Sequence, residues 1–347
     1  MARVRVFIPT YRRGALLQRA LESLRRQTWN DWEGVVHNDD PSDPGPAALV
    51  ASLQDPRLRL HQHRSNLGPV ETFNRGFTEP MNGVSYFSIL EDDNTWYPHF
   101  LETMVGTLEK FPRLSLVWCN QRIWQESPSG EWEDTGTSVH PEGSSLEGSA
   151  CTEPEIVSWG HFSQAMGARM ANGAMVMRVL SQPLRTPNIP FTGMEAVRER
   201  AIPHPLLYLP QTLATYSRTH STARSRDGHT WGALQTLLLA TYYRHARFTP
   251  ENRSRFWEYL RAQTPPPTNL ALHAAFSCPG CSSLLQGARL SDWFRYLKTW
   301  VGRPRGAWTC VRARAHYSEW WRALDQITAE RFAETPSPAT AAVKPSS

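Results

Sequence analysis

Short apolar runs alternate with helix-like stretches through the first third of the chain. Four runs predict strands, at residues 4–8, 33–37, 57–61 and 84–90. Between them, Leu17, Leu21 and Leu24 recur at helical spacing, and further short helices are expected up to Leu53 and over residues 70–77. Strands that alternate with helices predict an α/β fold with a mostly parallel sheet flanked by helices.

The pattern changes after residue 116. Residues 116–124 predict a long strand, and Ser127-Pro-Ser-Gly130 predicts a turn that starts a hairpin back through Trp132. A loop is expected over 133–155, followed by strands at 174–179 and 206–218. The remainder reads as helical, including helices at 284–300 and 311–332. We therefore expect a sheet domain over 1–226, a helical C-terminal region over 227–332 and a disordered tail over 333–347.

Length and composition limit the possible classes of protein. The chain has 347 residues, 40% of them hydrophobic, which suffices for a sizeable core in one large domain plus an appendage or in two domains. No apolar run approaches the roughly 20 residues that span a bilayer, and the N-terminus does not resemble a signal peptide. We expect a cytoplasmic protein, with peripheral attachment to the inner face of the membrane as a second option.

The basic residues are nearly all arginine, and the formal net charge is +5. Arginine suits planar contacts with phosphate, so anionic ligands, acidic acceptors or a lipid surface all agree with this composition. The basic residues form no stripe with interleaved aromatic residues. Nucleic acid is therefore not an expected partner.

Five cysteines are spread along the chain, which argues against a disulfide framework. Cys278 and Cys281 form a CxxC pair without a second pair at zinc spacing. Cys310 with His273 or His316 would be needed to complete a site, and a four-ligand pattern is missing.

Three consecutive acids, Glu91-Asp92-Asp93, follow the apolar run at 84–90. At the carboxyl end of a buried strand they would project from the edge where open α/β folds bind ligands. Acids packed this closely repel one another unless a cation or a ring of donors offsets the repulsion. A hard divalent cation, Mn²⁺ or Mg²⁺, is the expected cofactor. The alternative is a solvated acidic turn before the helix near Pro98.

Polar clusters also follow the other three predicted strands. They are Pro9-Thr10-Tyr11 with Arg12-Arg13, then Asn38-Asp39-Asp40, then Asn66-Leu67-Gly68. In a parallel sheet, all four strand ends lie at one edge. The sequence therefore predicts a nucleotide pocket with a metal at one side.

Taken in order, these motifs resemble family-2 inverting glycosyltransferases with a GT-A fold. The resemblance covers about residues 1–225 and is more specific than any single motif. Its elements are Pro9-Thr10-Tyr11, Arg26-Gln27-Thr28-Trp29, Asp39-Asp40-Pro41-Ser42, Asn66-Leu67-Gly68, Asn74-Arg75-Gly76 and Glu91-Asp92-Asp93.

The resemblance implies a transferase that uses a nucleotide-diphosphate sugar, with a UDP-sugar favoured. Thr10 and either Asp39 or Asp40 would hold the base, Asp92 would contact the ribose, and Asp93 would bind the metal. Glu91 replaces the usual first Asp of this DXD-like element. The implied donor-binding residues are Pro9, Thr10, Tyr11, Arg13, Asp39, Asp40, Asn66, Gly68, Asn74, Glu91 and Asp92.

Two later segments extend the resemblance. In Phe191-Thr192-Gly193-Met194-Glu195, Glu195 would be the catalytic base; its neighbour Ala196 breaks the usual acidic pair, and Glu199 and Asp227 are the substitutes nearby. Residues 216–221 resemble the family's YRxH-like segment with Ser217 interposed, which makes His220 a second metal ligand. The alternatives are an exposed helix-start glutamate beside Arg198 and Arg200, and a surface-loop histidine.

Two other functions stay open from the sequence. One is a sugar-nucleotide-binding protein of the same fold that has lost catalysis, since Glu195 lacks the neighbouring acid that the family usually has. The other is a sugar nucleotidyltransferase, although its expected Gly-rich phosphate loop after the first strand is absent. The expected partners are a nucleotide-sugar donor, an acceptor that is a glycan, a lipid-linked intermediate or a small molecule, and a second copy of the chain in a homodimer.

Overall fold

The computed structural model of the protein describes residues 4–146, 150–219 and 228–334. The chain forms two compact units. The first comprises Met1–Ser158, Met170–Arg185 and Ile202–Ala223, and the second comprises Trp159–Arg169, Thr186–Ala201 and Arg224–Ser347. Residues 159–169 and 186–201, which the sequence places within the sheet domain, thus belong to the second unit.

The first unit contains a sheet and four α-helices. In chain order, its elements are β1 (Val4–Thr10), α1 (Gly14–Arg25), β2 (Trp32–Asn38), α2 (Gly45–Leu53), β3 (Leu58–Gln62), α3 (Gly68–Thr78), β4 (Tyr86–Ile89), α4 (Phe100–Lys110), β5 (Leu116–Glu126), β6 (Trp132–Ser138), β7 (Glu155–Val157), β8 (Met175–Arg178) and β9 (Leu206–Arg218). The α/β fold class predicted from the sequence is confirmed.

The strands pair in the order β3-β2-β1-β4-β8-β5-β9-β7, and β6 pairs with β5. The ladder β3-β2-β1-β4 is parallel, as the sequence predicts, and so is β5-β9. The other four pairings are antiparallel, because β8 runs opposite to both of its neighbours, and β6 and β7 run opposite to theirs. The sheet is therefore mixed, with four parallel and four antiparallel pairings.

Side chains of β1 alternate between the two faces of the sheet. Val4, Val6 and Ile8 are fully buried on the face where α1 and α4 contribute leucines and Met104. Phe7 points to the other face, where its ring lies 6.2 Å from that of Phe73 on α3. Helices thus cover both faces of β1, which explains why its sequence is apolar almost throughout.

The second unit is helical and has its own core. Its α-helices are α5 (Met194–Ala201), α6 (Gly228–His245), α7 (Pro250–Ala262), α8 (Thr268–Ser277), α9 (Leu290–Gly302), α10 (Pro304–His316) and α11 (Ser318–Glu334). Buried leucines and aromatic residues of α6, α7 and α8 form the centre of this core. No helix in the described residues is long and apolar enough to cross a membrane.

Three local predictions are wrong in detail. Residues 133–138 of the expected loop belong to β6. The expected helix at 284–300 is a 3-10 helix (Ser282–Gly287) followed by α9, whose start is fixed by a hydrogen bond from the Arg289 N–H to Asp292 (2.8 Å). The expected helix at 311–332 starts earlier, with Pro304 in the first turn of α10, and is interrupted at Tyr317.

Replacement of Gly76 by Ala should destabilise the sheet unit. A Cβ at Gly76 would lie 2.7 Å from the ring of Phe7, which is buried and cannot move away. Overpacking of this kind costs about 1–3 kcal/mol. We expect a lower denaturant midpoint for Gly76→Ala.

Gly106→Ala is the matched control, since Gly106 also lies inside a helix but has nothing within 4 Å of its Cβ position. Helix propensity there should stabilise the protein by about 0.5–1 kcal/mol. Equal midpoints for the two variants would contradict the close packing of α3 on β1.

Candidate functional site

The ends of β1, β2 and β4 meet at one edge of the sheet. Thr10 pairs in register with Asn38, and the ladder continues past both strands through a bond from the Asp39 N–H to the Thr10 carbonyl (3.0 Å). On the other side of β1, the Leu90 N–H donates to the Phe7 carbonyl (3.0 Å). The polar residues that follow these strands are thereby brought together, as the sequence predicts.

Asp92 and Asp93, directly after β4, share one guanidinium group. Arg13 Nη1 lies 3.1 Å from Asp92 Oδ1 and 2.8 Å from Asp93 Oδ2. All three side chains are largely buried. Both contacts use Nη1, and within the described residues Nε and Nη2 of Arg13 make no further hydrogen bond. Arg13 thus bridges the two carboxylates, and the positive charge of Arg19 also acts on Asp93.

The buried position of Asp92 next to Asp93 perturbs its pKa. Burial, followed by the charge of Asp93, raises the pKa of Asp92 to about 6, while Arg13 and the Thr10 hydroxyl oppose the rise. Two adjacent buried carboxyl groups are a ligand set that suits a hard divalent cation. Asp92 and Asp93 therefore fit the metal that the sequence predicts at this edge.

Asp39 is bound inside the protein by three donors. Its Oδ1 accepts from the Leu67 N–H (2.8 Å) and lies 2.9 Å from His63 Nδ1, and its Oδ2 accepts from the Gly68 N–H (3.0 Å). Asp39 therefore shapes the loop that leads into α3. The sequence analysis missed this role of His63, because no local pattern links it to Asp39.

Asp40 has different partners. Its Oδ1 accepts from the N–H and hydroxyl of Ser42, and its Oδ2 accepts from Arg12 Nε (2.6 Å). These bonds, those of Ser42 first, lower the pKa of Asp40 to about 2. Arg12 has a left-handed backbone (φ +56°), a conformation that costs a non-glycine residue about 1–2 kcal/mol. The ion pair with Asp40 helps to offset that cost.

Glu91 is connected by hydrogen bonds to β9, which is not a neighbour of β4 in the sheet. Its Oε2 accepts from Asn94 Nδ2 (2.8 Å), and Asn94 Oδ1 accepts from the Ser217 N–H on β9 (2.9 Å). The end of β9 therefore lies next to the acidic segment. His220, which follows β9 and was predicted as a metal ligand, lies outside the described residues, as does Asp227.

The remaining predicted donor residues differ in exposure. Pro9 and Thr10 are buried at the end of β1, Asn74 is buried in α3, and Tyr11 and Asn66 are exposed. Gly68 starts α3 with φ +75°. Their assignment as donor-binding residues stays a prediction.

Glu195 belongs to the second unit, in the first turn of α5, and is partly buried. Its substitute Glu199 is fully buried and accepts hydrogen bonds from Gln164 Nε2 (3.0 Å) and the Arg169 N–H. Arg200 is also buried and donates to the carbonyls of Gln164 and Leu238. Glu199 and Arg200 therefore serve the core of the helical unit, and the role of Glu195 stays a prediction.

In the described part of the chain, Cys278 and Cys281 belong to no group of three or more potential metal ligands. All five cysteines are free, and burial raises the pKa of Cys281 to about 12. Among the described residues, the only group of three or more potential metal-binding His, Cys, Asp or Glu side chains is His37, His61 and His63.

Substitutions of Arg13 and Asp93 should move the pKa of Asp92 in opposite directions. Arg13→Gln removes a neighbouring positive charge, so the pKa should rise above 6; Asp93→Asn removes a like charge, so it should fall. Titration of ¹³C-labelled aspartate carboxyl groups by NMR measures both shifts.

Arg12→Gln is the matched control for this titration. It should raise the pKa of Asp40 and leave that of Asp92 unchanged, because Arg12 pairs with Asp40. An Asp92 pKa that does not respond to either Arg13→Gln or Asp93→Asn would contradict the shared ion pair.

Known proteins are similar to parts of this chain. Residues 5–161 match the family described as Glycosyl transferase family 2. An uncharacterized glycosyltransferase of Rickettsia felis is 34% identical over 107 residues, 31% of this chain and 17% of that protein. The uncharacterized glycosyltransferase YibD of Escherichia coli is 30% identical over 146 residues, 40% of this chain and 41% of that protein. The chain thus spans less than half the length of either relative.

The fold also resembles a solved structure. The crystal structure of S. aureus TarS 1-349 in complex with UDP-GlcNAc superposes with a TM-score of 0.54 at 12% identity, covering 94% of this chain and 91% of that one. At this identity the likeness concerns the fold alone. The sequence match over the sheet unit and the agreement in fold lead to one conclusion: residues 5–161 of this chain form a domain of glycosyl transferase family 2.

Proposed function

We propose that the protein is a metal-dependent, inverting glycosyltransferase that moves a sugar from a nucleotide-diphosphate sugar to an acceptor hydroxyl. The observation that carries the proposal is the buried pair Asp92 and Asp93, bridged by Arg13, at the sheet edge of a family-2 domain. A UDP-sugar is the favoured donor, and the likeness to TarS, solved with UDP and with UDP-GlcNAc, supports UDP as the first nucleotide to test.

Asp93, with Asp92 beside it, would hold Mn²⁺ or Mg²⁺. A bound divalent ion supplies a Lewis acid that balances charge on the leaving diphosphate. Arg13 has donors to spare on Nε and Nη2, which suit a phosphate oxygen. Asp39 keeps the loop of Asn66 and Gly68 in place, so that loop can contact the base or ribose without being ordered first.

Glu195 is proposed as the general base. It would accept the proton of the acceptor hydroxyl while that oxygen forms a bond to the anomeric carbon and the bond from that carbon to the diphosphate breaks. One such displacement inverts the anomeric configuration. The acceptor is proposed only as a hydroxyl of a glycan, a lipid-linked intermediate or a small molecule.

The proposal is tested first by ligand binding. UDP, UDP-glucose, UDP-galactose and UDP-GlcNAc are each added to the full chain with and without Mn²⁺ or Mg²⁺, and the melting temperature is measured. A ligand that binds the folded state raises it by mass action. No shift with any nucleotide sugar would remove the basis for the function. Binding without release of UDP would favour a protein that has lost catalysis.

Asp93→Asn should abolish sugar transfer and the metal-dependent part of the nucleotide-induced thermal shift. The substitution keeps the size of the side chain but removes a negative charge from the predicted metal ligand. The melting temperature without ligand should not fall, because a buried like charge is lost. Glu102→Gln, an exposed acid on α4, is the control and should transfer at the normal rate. Unchanged turnover in Asp93→Asn would remove this residue from the metal site.

Glu195→Gln should reduce kcat by about 10²–10⁴-fold, the usual effect of losing a positioned general base. Donor affinity should stay the same, because the predicted nucleotide contacts belong to the first unit. Transfer rate and donor Kd are measured side by side. A rate within a few-fold of wild type would exclude Glu195 as the base.

Glu199→Gln is the matched comparison on the same helix. Glu199 accepts from Gln164 and the Arg169 N–H, so this variant should lower the melting temperature. If Glu199→Gln loses activity without losing stability, the general base would be Glu199 and not Glu195.

A further inference from the structure

Three histidines form a cluster on β2 and at the end of β3. His37 and His61 are register partners in the parallel β2-β3 ladder, and His63 follows His61 by two residues, so all three side chains lie on one face. Their potential ligand atoms lie within 4.8 Å of one another. His37 and His63 are buried, and His61 is exposed.

The hydrogen bonds of the cluster resemble those of metal-binding histidines. His63 Nδ1 lies 2.9 Å from Asp39 Oδ1, so it carries the proton and leaves Nε2 with a lone pair. A metal-bound histidine typically donates its second N–H to a carboxylate in this way. His63 Nε2 lies 3.2 Å from His37 Nδ1, close to the separation of about 3.4 Å between two nitrogens on one tetrahedral Zn²⁺.

The surrounding charges also favour a cation. Glu79 lies 3.6 Å from His37 Nε2 and 4.0 Å from His61 Nδ1, and Asp39 adds a second carboxylate. His37 Nε2 is buried and makes no hydrogen bond within the part of the chain that the structure describes. Arg75 and Arg5 oppose a cation from a distance, and Arg5 is itself paired with Glu33 (2.6 Å).

We propose that His37, His61 and His63 bind one transition-metal ion of the zinc class, separate from the predicted Mn²⁺ or Mg²⁺ at Asp93. Imidazole ligands select Zn²⁺, Cu²⁺ or Ni²⁺ over the hard cations that carboxylates prefer. The ring of His61 stacks on that of His37 at 4.8 Å, and its exposed position allows the side-chain rotation that turns a lone pair toward the ion. The exposed side leaves room for water as the fourth ligand.

The test is a titration of the EDTA-treated full chain with CoCl₂ and ZnCl₂. We expect one Co²⁺ per chain with the visible absorption of four-coordinate cobalt, displaced by Zn²⁺ but not by Mg²⁺. His61→Ala should abolish this band, and the variant should stay folded because His61 is exposed. His99→Ala, an exposed histidine on the same unit, is the matched control and should bind normally.

Two further variants make the outcome decisive. Glu79→Gln should weaken Co²⁺ binding by about 10–100-fold, the usual effect of an outer partner of a metal-bound histidine. Asp93→Asn should leave it unchanged, which separates this site from the catalytic proposal. No binding by the wild-type chain, or unchanged binding by His61→Ala, would overturn the site, as would binding that is lost only in Cys281→Ser.

A second, independent observation concerns α9. Leu290, Phe294, Leu297 and Val301 follow one another at intervals of four, three and four residues and are 85%, 79%, 59% and 85% exposed. They therefore form a narrow apolar stripe on the outer face of the helix. Trp293, Tyr296 and Trp300 face inward, where Tyr296 contacts the ring of His273 on α8 at 4.8 Å.

Positive charge borders this stripe. At 100° per residue, exposed Lys298 and Arg295 lie beside the apolar residues on one side of the helix. Residues 289–316 contain seven arginines and lysines and one acid, Asp292, which is buried and bound to Arg261 (2.7 Å). Exposed apolar residues bordered by cations are typical of helices that lie in the headgroup region of anionic bilayers.

We infer that α9 docks the protein on an anionic lipid surface, with the stripe inserted and Arg295 and Lys298 against lipid phosphates. The test is flotation of the full chain with vesicles of phosphatidylcholine alone or with 30 mol% (about one third) phosphatidylglycerol, the share chosen to mimic an anionic leaflet. We expect binding only to the anionic vesicles, weakened by salt.

The double variant Phe294→Gln with Leu297→Gln should stay folded, because both residues are exposed, and should no longer float. Ile156→Gln, an exposed apolar residue of the first unit, is the control and should float normally. A wild-type chain that does not bind vesicles would overturn the inference. So would a dimer that the double variant dissociates, since the stripe would then be an interface between two copies.

Discussion

Four buried carboxylates at one edge of the sheet impose the main constraint on this structure. Asp39, Asp40, Asp92 and Asp93 are all less than 10% exposed. A carboxylate removed from water costs several kcal/mol unless donors or cations surround it. Backbone N–H groups and side chains near the strand ends supply these donors. Asp39 accepts hydrogen bonds from two backbone N–H groups and from His63, and Asp40 accepts from Ser42 and Arg12. Arg13 donates to both Asp92 and Asp93.

The partners of these carboxylates differ, and this difference separates their roles. Asp39 has three donors of its own and acts as a fixed support for the loop before α3. Asp92 and Asp93 lie side by side and share one guanidinium nitrogen, and the pKa of Asp92 rises to about 6. Adjacent carboxylates of this kind suit a divalent cation. The proposed function therefore rests on Asp92 and Asp93, and Asp39 links their surroundings to the histidine cluster through His63.

The helical unit shows a related division within one short helix. Glu199 and Arg200 on α5 are buried and hydrogen-bonded within the unit's core, and Arg331 caps the end of α5 by donating to the carbonyls of Arg200 and Ala201 (2.7 and 2.9 Å). Glu195, at the start of the same helix, keeps partial exposure. In α9, by contrast, Trp293 and Tyr296 pack inward, and Leu290, Phe294, Leu297 and Val301 remain exposed.

The sequence alone determined the strands and helices of the sheet unit up to β5, because the spacing of apolar residues is a local property; it predicted neither β7 nor the part of β6 beyond Trp132. It also placed the polar residues of the candidate site at the ends of β1, β2, β3 and β4, since parallel strands end at one edge. It did not determine the direction of β8, because the same apolar run fits a parallel or an antiparallel neighbour.

Only the tertiary structure decided the partners of the charged groups. Arg13 reaches acids about eighty residues away, His63 reaches Asp39, and His37 meets His61 across a strand pair. The spacing of residues in the sequence does not predict such contacts, because they depend on strand register and on the face of the sheet on which a side chain lies. The positions near Arg289 and at Tyr317 where the helices are interrupted were also not predictable from the sequence. They depend on helix caps and packing, and not on the spacing of apolar residues.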